Sequence, residues 1–481
     1  MHTVETLQSH VQFGIAVGDI TPPVGIYCRM WGAARHDVAT GVHRPLRATA
    51  LALAPVDTGA CRDELIVIAL DHCLLRAAEM DGLLDKVSSS ADVPKEHLLV
   101  LFSHTHSAGL MSLDRAKLPG GELISAYLDQ LAATVGELVV AARRSRQPAD
   151  IVYGTGHCDL AVQRDFWDGE SAQFVCGYNP YAVADDTVVA ARVSDTDGKM
   201  LASLVNYACH PTTLAWQNSL ISPDFPGATR ELVEDATGAP CVFIQGASGD
   251  LGPKIQYVGD PEIADRNGRQ LGFAALSVLT SLPPAKSALK FSGAVISAAT
   301  LGGWSYVTMS DDRTRDAAIW KLRRTTIDLP YVDEPKTLEA LYDEIESLEN
   351  QSTAALSAGD EQGAADKRAM AERGRRRAMI LEQLPQGERF PLAATMLRCG
   401  DAIWVAVESE HYQQLQTALR SRFPNYPVVV ATIANGSRAM YLPPREIYGK
   451  GIYQEQVAVL AAGSLETVIE RLSDDIEKEL L

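Results

Sequence analysis

Five consecutive apolar residues, Leu98–Phe102, run directly into Ser103-His104-Thr105-His106-Ser107-Ala108-Gly109. A short apolar stretch between polar flanks reads as a buried strand. Side chains at i and i+2 of an extended chain leave on the same side, so His104 and His106 can face one pocket. The small residues that follow leave room for whatever the two rings hold. Histidine is the commonest metal ligand, and the pair reads as a metal site at the mouth of a sheet. The competing reading has one ring capping a loop by hydrogen bonding and the other on the surface. The pair by itself does not decide between them.

The same pattern recurs further along. Residues 201–207 form an apolar strand that runs out into Ala208-Cys209-His210-Pro211, and residues 402–407 form another that ends in Glu408-Ser409-Glu410-His411-Tyr412. The last stretch reads as the opening of a helix to about Arg420, because acidic side chains suit the positive end of a helix dipole. Two or three histidines with one carboxylate, leaving a position for water, is the donor set of a catalytic zinc site rather than of a closed structural one.

Strands are expected at 13–19, 48–54, 65–70, 151–153, 188–193, 241–244, 394–399 and 428–433, and helices at 76–88, 123–143, 228–237 and 465–480. The turn at 195–199 joins two strands as a hairpin. Asp71, at a strand end, is costly to bury unpaired, so it is either a partner to a metal ligand or a loop hydrogen-bonder. Asp224 fits the N-cap of the 228–237 helix. The long 25–41 loop, with Arg29, Trp31, Arg35 and His36, either lines a pocket or runs over the surface. The glycine-rich turn at 245–253 lacks the Lys and Ser/Thr of a P-loop and the glycine spacing of a dinucleotide fingerprint. It reads instead as a tight turn bringing backbone and Asp250 toward a pocket. Residues 334–386 are rich in Ala, Glu, Leu and Arg and read as a helical hairpin turning at 357–360, its arginine run (Arg368, Arg373 to Arg377) on a solvated face.

A net charge of −18 repels phosphate backbones and anionic lipid, which argues against nucleic acid and against stable membrane association. Eight cysteines (28, 61, 73, 158, 176, 209, 241 and 399) stand singly without CxxC pairs and read as small buried hydrophobes. The first residues show no basic region before an apolar core, and no eighteen apolar residues run uninterrupted, so the expected location is cytoplasmic and the expected partner a small-molecule substrate. Association of copies into a homo-oligomer stays open.

Six segments in order are similar to the neutral/alkaline ceramidase family: Gly18-Asp19-Ile20-Thr21-Pro22, the SHTHSAG element, NYACHPTTL from Asn206, SPDFPGAT from Ser222, FIQGASGDLGP from Phe243 and NGSRAMYLPP from Asn435. The resemblance implies a zinc-dependent hydrolase of N-acyl amide bonds on an α/β fold, with mixed β-sheets flanked by helices. It further implies one catalytic domain over 1–481 that includes the hairpin insertion at about 334–386. By the same resemblance His104 and His210 are zinc ligands and a glutamate is the third. The family has Pro-Gly-Glu where this chain has Val407-Glu408-Ser409-Glu410, and Glu410 is taken with Glu408 in reserve. Tyr441 matches a ligating or zinc-proximal tyrosine, His106 sits beside the metal-bound water, Arg164 orients or polarises the substrate, and Asp250 is counted with the catalytic group. Gly252 stands where the family carries a serine. A zinc esterase or lactonase, and a non-catalytic metal- or ligand-binding relative, are the other readings. Without the family's C-terminal immunoglobulin-like domain and secretion signal, a soluble polar amide is expected rather than ceramide.

Overall fold

Alternation along single strands puts buried core residues on both faces of the main sheet. In Arg47–Ala54, Ala48, Ala50 and Ala52 face one side and Leu51 and Leu53 the other, as the period of two requires. The computed structural model describes residues 2–56, 63–333 and 337–481; Cys61 and Glu334, the start of the expected hairpin region, lie outside them. Eight strands make the main sheet: β1 (Gln8–Asp19), β2 (Arg47–Ala54), β3 (Leu65–Leu70), β4 (Leu98–Phe102), β5 (Gln147–His157), β6 (Thr187–Asp195), β7 (Met200–Tyr207) and β8 (Cys241–Gln245). Their spatial order is β8-β7-β6-β5-β1-β2-β3-β4.

The interior pairs are antiparallel and the two outer pairs, β3/β4 and β7/β8, are parallel. Parallel neighbours need a crossover. It is supplied by α1 (Ala77–Ala91) before β4 and by α3 (Phe225–Thr237) before β8. With α1, α2 (Ile124–Arg144) covers one half of the sheet's outer face, and α4 (Pro261–Ser281) joins α3 on the other half. The span Gly121–Arg144 has the length and mean hydropathy of a membrane-crossing helix; here Tyr127, Leu131, Val135 and Val139 are buried on the sheet. Gly14 permits this contact, since a Cβ there would lie 1.9 Å from the Ala142 carbonyl oxygen.

A second, four-stranded sheet covers the inner face. The strands of this half of the chain are β9 (Trp320–Pro330), β10 (Arg389–Cys399), β11 (Ala402–Val407), β12 (Glu410–His411), β13 (Val428–Ala431) and β14 (Tyr441–Leu442). The sheet order is β9-β10-β11-β13, and β12 pairs separately with β14. Leu397, Trp404 and Val429 of this sheet meet Leu53, Val67 and Leu101 of the first.

The first sheet curls until its edges nearly meet. Laid flat, β4 and β8 would stand seven strand spacings apart, roughly 34 Å. Four residues bridge them instead. Thr432 donates its N–H to the Gln245 carbonyl on β8 at 3.2 Å, and Asn435 donates to the Val100 carbonyl on β4 at 2.8 Å while its side-chain oxygen accepts from Val100 N at 2.7 Å. Loops leaving β4, β7 and β11 at their C-terminal ends are thereby gathered at one rim.

Two sequence expectations are corrected. The stretch from Glu408 does not open a helix: that helix, Gln414–Arg422, begins later, and Glu410 donates its backbone N–H to the Met440 carbonyl at 2.8 Å as part of the β12/β14 pair. Ser409, at φ 78°, turns the chain out of the helical path, so tertiary pairing overrides the dipole preference. The arginine run of the hairpin, α5 (Leu338–Ser357) and α6 (Glu361–Gln383), is not merely a solvated face. Arg376 donates to the Met30 carbonyl at 2.6 Å, Arg377 to the Val457 carbonyl at 2.8 Å, and Arg368 to Asp37 at 2.7 Å. With Ala369 packed on Gly32, the Arg376 and Arg368 bonds clamp the 25–41 loop.

Candidate metal centre

The two histidines after β4 do not leave an extended strand, as the i, i+2 argument expects. The strand stops at Phe102 and His104 adopts a left-handed φ of 66°. His104 N–H is held by the His72 carbonyl at 2.9 Å and His106 N–H reaches the Pro211 carbonyl at 3.4 Å, so neighbouring segments fix the turn. The rings still meet, with centroids 5.0 Å apart at 81°.

Backbone carbonyls fix both tautomers. His104 Nδ1 donates to the Cys73 carbonyl at 2.7 Å and His210 Nδ1 to that of Ser248 at 3.2 Å. A carbonyl can only accept, so each Nδ1 carries the hydrogen and each Nε2 turns inward as a potential ligand. These Nε2 atoms lie 3.0 Å apart, and Glu410 Oε2 is 3.2 Å from His104 Nε2 and 3.8 Å from His210 Nε2. All three donor atoms fall within 4.8 Å of one another and all three residues are buried. Two inward lone pairs at this spacing repel unless a proton or a cation lies between them.

The electrostatics agree with a seat for one positive centre. Burial opposes charge on His104, yet Cys73 and Glu410 raise its pKa well above the usual histidine value. Burial and the neighbouring positive groups hold His106 and His210 well below it. Burial pushes the Glu410 carboxyl up, but His104, Tyr441 and Arg164 outweigh it and leave the pKa lowered. Two histidine nitrogens and a carboxylate, all desolvated, are a donor set that suits zinc.

The remaining residues expected at the site fall into two groups. His106 Nε2 lies 3.2 Å from His210 Nε2. Tyr441 stands opposite Glu410 in the β12/β14 register, and its hydroxyl accepts from Arg164 Nη2 at 3.2 Å. Arg164 is pinned from behind, donating Nε and Nη2 to the Gly249 carbonyl at 3.2 and 2.7 Å. Asp250 points elsewhere: its carboxylate accepts from the Gln413 N–H at 2.7 Å and the Gln413 side-chain amide at 2.8 Å, and burial pushes its pKa up to about 7. Asp71 pairs with Arg230 and accepts from Arg47 N–H, which settles it as a loop hydrogen-bonder rather than a partner to a ligand. Glu408 is engaged by Arg438, Nε to Oε1 at 2.6 Å and Nη2 to Oε2 at 2.7 Å.

At Gly252 a Cβ would lie 2.7 Å from Gln256 Oε1. The Gln256 amide fills this space, accepting from Thr212 Oγ1 and donating to the Gly177 carbonyl, both at 2.8 Å.

Sequence reasoning missed Gln454 and Tyr453. Gln454 Nε2 donates to Asp165 at 2.8 Å and to the Gly249 carbonyl at 3.0 Å, sharing the acceptor that holds Arg164. The Tyr453 ring is 5.9 Å from that of Tyr441. Both lie on a five-residue helix, Tyr453–Val457, with no motif to mark it.

A family model described as neutral/alkaline non-lysosomal ceramidase, N-terminal, matches residues 11–258. Among curated proteins, Neutral ceramidase B of Dictyostelium discoideum is 24% identical over 266 residues, covering 52% of this chain and 36% of the relative, so the match spans little more than a third of that protein's length. Among solved structures, the neutral ceramidase from Pseudomonas aeruginosa superposes with a TM-score of 0.63 at 15% identity, covering 97% of this chain and 74% of that one. A ceramidase complexed with C2 gives 0.61 with the same identity and coverage.

Proposed function

The chain belongs to the neutral/alkaline non-lysosomal ceramidase family, and from that membership together with its donor cluster we propose that it is a zinc-dependent hydrolase cleaving the amide (N-acyl) bond of a small soluble substrate. The observation that carries the reading is the inward convergence of His104 Nε2, His210 Nε2 and Glu410 Oε2. These three would hold the ion, with the Tyr441 hydroxyl beside Glu410. Zinc, when bound, supplies a Lewis acid that polarises the scissile carbonyl and brings the pKa of water toward neutrality.

The chain's own residues do the rest. His106 Nε2 is the group beside the cluster able to accept a proton and return it to the leaving amine. Arg164 has two donors committed to Gly249 and Tyr441, so its charge is fixed in place before the substrate arrives and faces the developing oxyanion without reorganising. Position 252 carries no hydroxyl, and the Gln256 amide fills the space beside it.

The test is elemental analysis of protein purified without added metal, followed by turnover of a panel of N-acyl amides and matched esters before and after chelation. About one zinc per chain, with hydrolysis lost to the chelator and restored by zinc, is expected. A metal-free preparation that hydrolyses the amides, or a zinc-loaded one that hydrolyses only esters, would overturn the proposal.

A further inference from the structure

Beyond His106 the surface of the site turns aromatic. The Trp31 ring centroid lies 5.4 Å from that of His106, 6.1 Å from Trp216 and 5.5 Å from Tyr257, close to perpendicular to the last two at 74° and 77°. Trp216 and Tyr257 lie 6.0 Å apart at 21°. Trp216 and Tyr257 are stacked, so the rings meet as a corner with one wall made by Trp31 and the other by the partly exposed Trp216 of that stack.

Each ring is tied to the metal cluster by its own segment. Trp31 rides on the loop that Arg376 and Arg368 clamp, and its indole N–H has no hydrogen-bond partner, so ring contacts set its orientation. Trp216 follows His210 along the chain and Tyr257 follows the glycine-rich turn; the two segments are joined by bonds from Tyr257 N to the Thr212 carbonyl and from Ala215 N to the Val258 carbonyl. Tyr257 is held at φ 61°, a conformation a bulky residue adopts only under outside constraint. Trp216 remains 36% exposed, so part of its ring is open to an occupant.

We infer that Trp31, Trp216 and Tyr257 form a subsite for a planar aromatic group carried by the substrate next to the bond that is cleaved. The inference rests on the hydrolase reading above. Two wall planes at right angles offer stacked and edge-to-face contacts at once, which favours a planar ring over a flexible alkyl chain of similar area. Ring faces also attract cations, but here the Arg376 guanidinium lies against the Met30 carbonyl beside Trp31, and Arg164 approaches Tyr257 closely enough to oppose the rise that burial gives its hydroxyl pKa. Two fixed positive charges beside the corner disfavour a cationic occupant.

Binding tests this without turnover. The zinc-loaded protein is titrated with 3-phenylpropanoate, 3-cyclohexylpropanoate and dodecanoate, following tryptophan fluorescence. The phenyl acid should bind about fivefold more tightly than the cyclohexyl acid, and Trp216→Leu should bring the two within about twofold. Equal affinities in the parent protein, an unchanged ratio in Trp216→Leu, or tighter binding of dodecanoate than of the phenyl acid would each overturn the subsite. A clear phenyl preference in a protein that hydrolyses no amide would instead sink the hydrolase reading and leave the subsite standing.

Discussion

Glu410 and Glu408 are two residues apart, both buried, and should respond oppositely to the same substitution. Glu410→Gln removes the one carboxylate among the clustered donors while leaving the backbone pairing of β12 with β14 untouched, so the fold should persist. Zinc affinity should fall by more than the ~10–100-fold typical of losing an outer hydrogen-bonding partner. Glu408→Gln leaves one amide oxygen where two carboxylate oxygens accept from Arg438, so one of the two charge-assisted bonds is lost and the other keeps only the charge of its donor. Each charge-assisted bond contributes ~1.5–3 kcal/mol against about 1 for a neutral one. Because the Arg438 side chain is 30% exposed, water recovers part of the loss, which leaves a cost of about 1–2 kcal/mol. For a chain of this length that is a fall in Tm of about 1–2 °C. Zinc per chain after dialysis against a competing chelator, alongside calorimetric melting, separates the two outcomes. Zinc lost from Glu408→Gln but retained by Glu410→Gln would refute the reasoning and transfer the role by two residues.

The other expectations are independent of that one. His104→Ala and His210→Ala should each abolish both bound zinc and hydrolysis; a variant that stays active without metal would contradict the donor set. Asp250 is pushed from 3.8 to about 7, so the folded chain holds a proton there that the unfolded chain releases. Its contribution to stability is therefore greatest below about pH 4, falls by up to ~1.4 kcal/mol per pH unit as pH rises toward 7, and is constant above that. Asp250→Asn should flatten that part of the stability profile, and chemical denaturation at several pH values showing an unchanged slope would dismiss the effect. Given a net charge of −18, kcat/KM for water-soluble N-acyl compounds should exceed that for detergent-dispersed long-chain ceramide; faster turnover of the ceramide than of every soluble candidate would reverse the substrate assignment.

Much of the secondary structure was legible locally. The apolar runs became β2, β3, β4 and β11, and the Ala- and Glu-rich region became α5 and α6 with its turn at Ala358–Asp360, because strand and helix periodicities are carried by neighbouring residues. Expected strands such as 151–153 proved longer, since pairing on both sides extends a ladder beyond its apolar centre. His104, His210 and an acidic residue near 410 were legible as donors by residue type and by their place at strand ends.

Their meeting was not. It depends on the curl of an eight-stranded sheet and on Thr432 and Asn435 joining edges that are distant in sequence. Which of Glu410 and Glu408 joins the clustered donor atoms was set by Arg438, which takes one carboxylate, and by β14, which pairs with the strand carrying the other. The arginines of α6 were read as solvated because no local pattern reveals which backbone carbonyls another loop will present to them. Residue type and periodicity are properties of a few successive residues; which side chain reaches a shared centre is settled by competition among partners that only the folded chain brings within hydrogen-bonding distance.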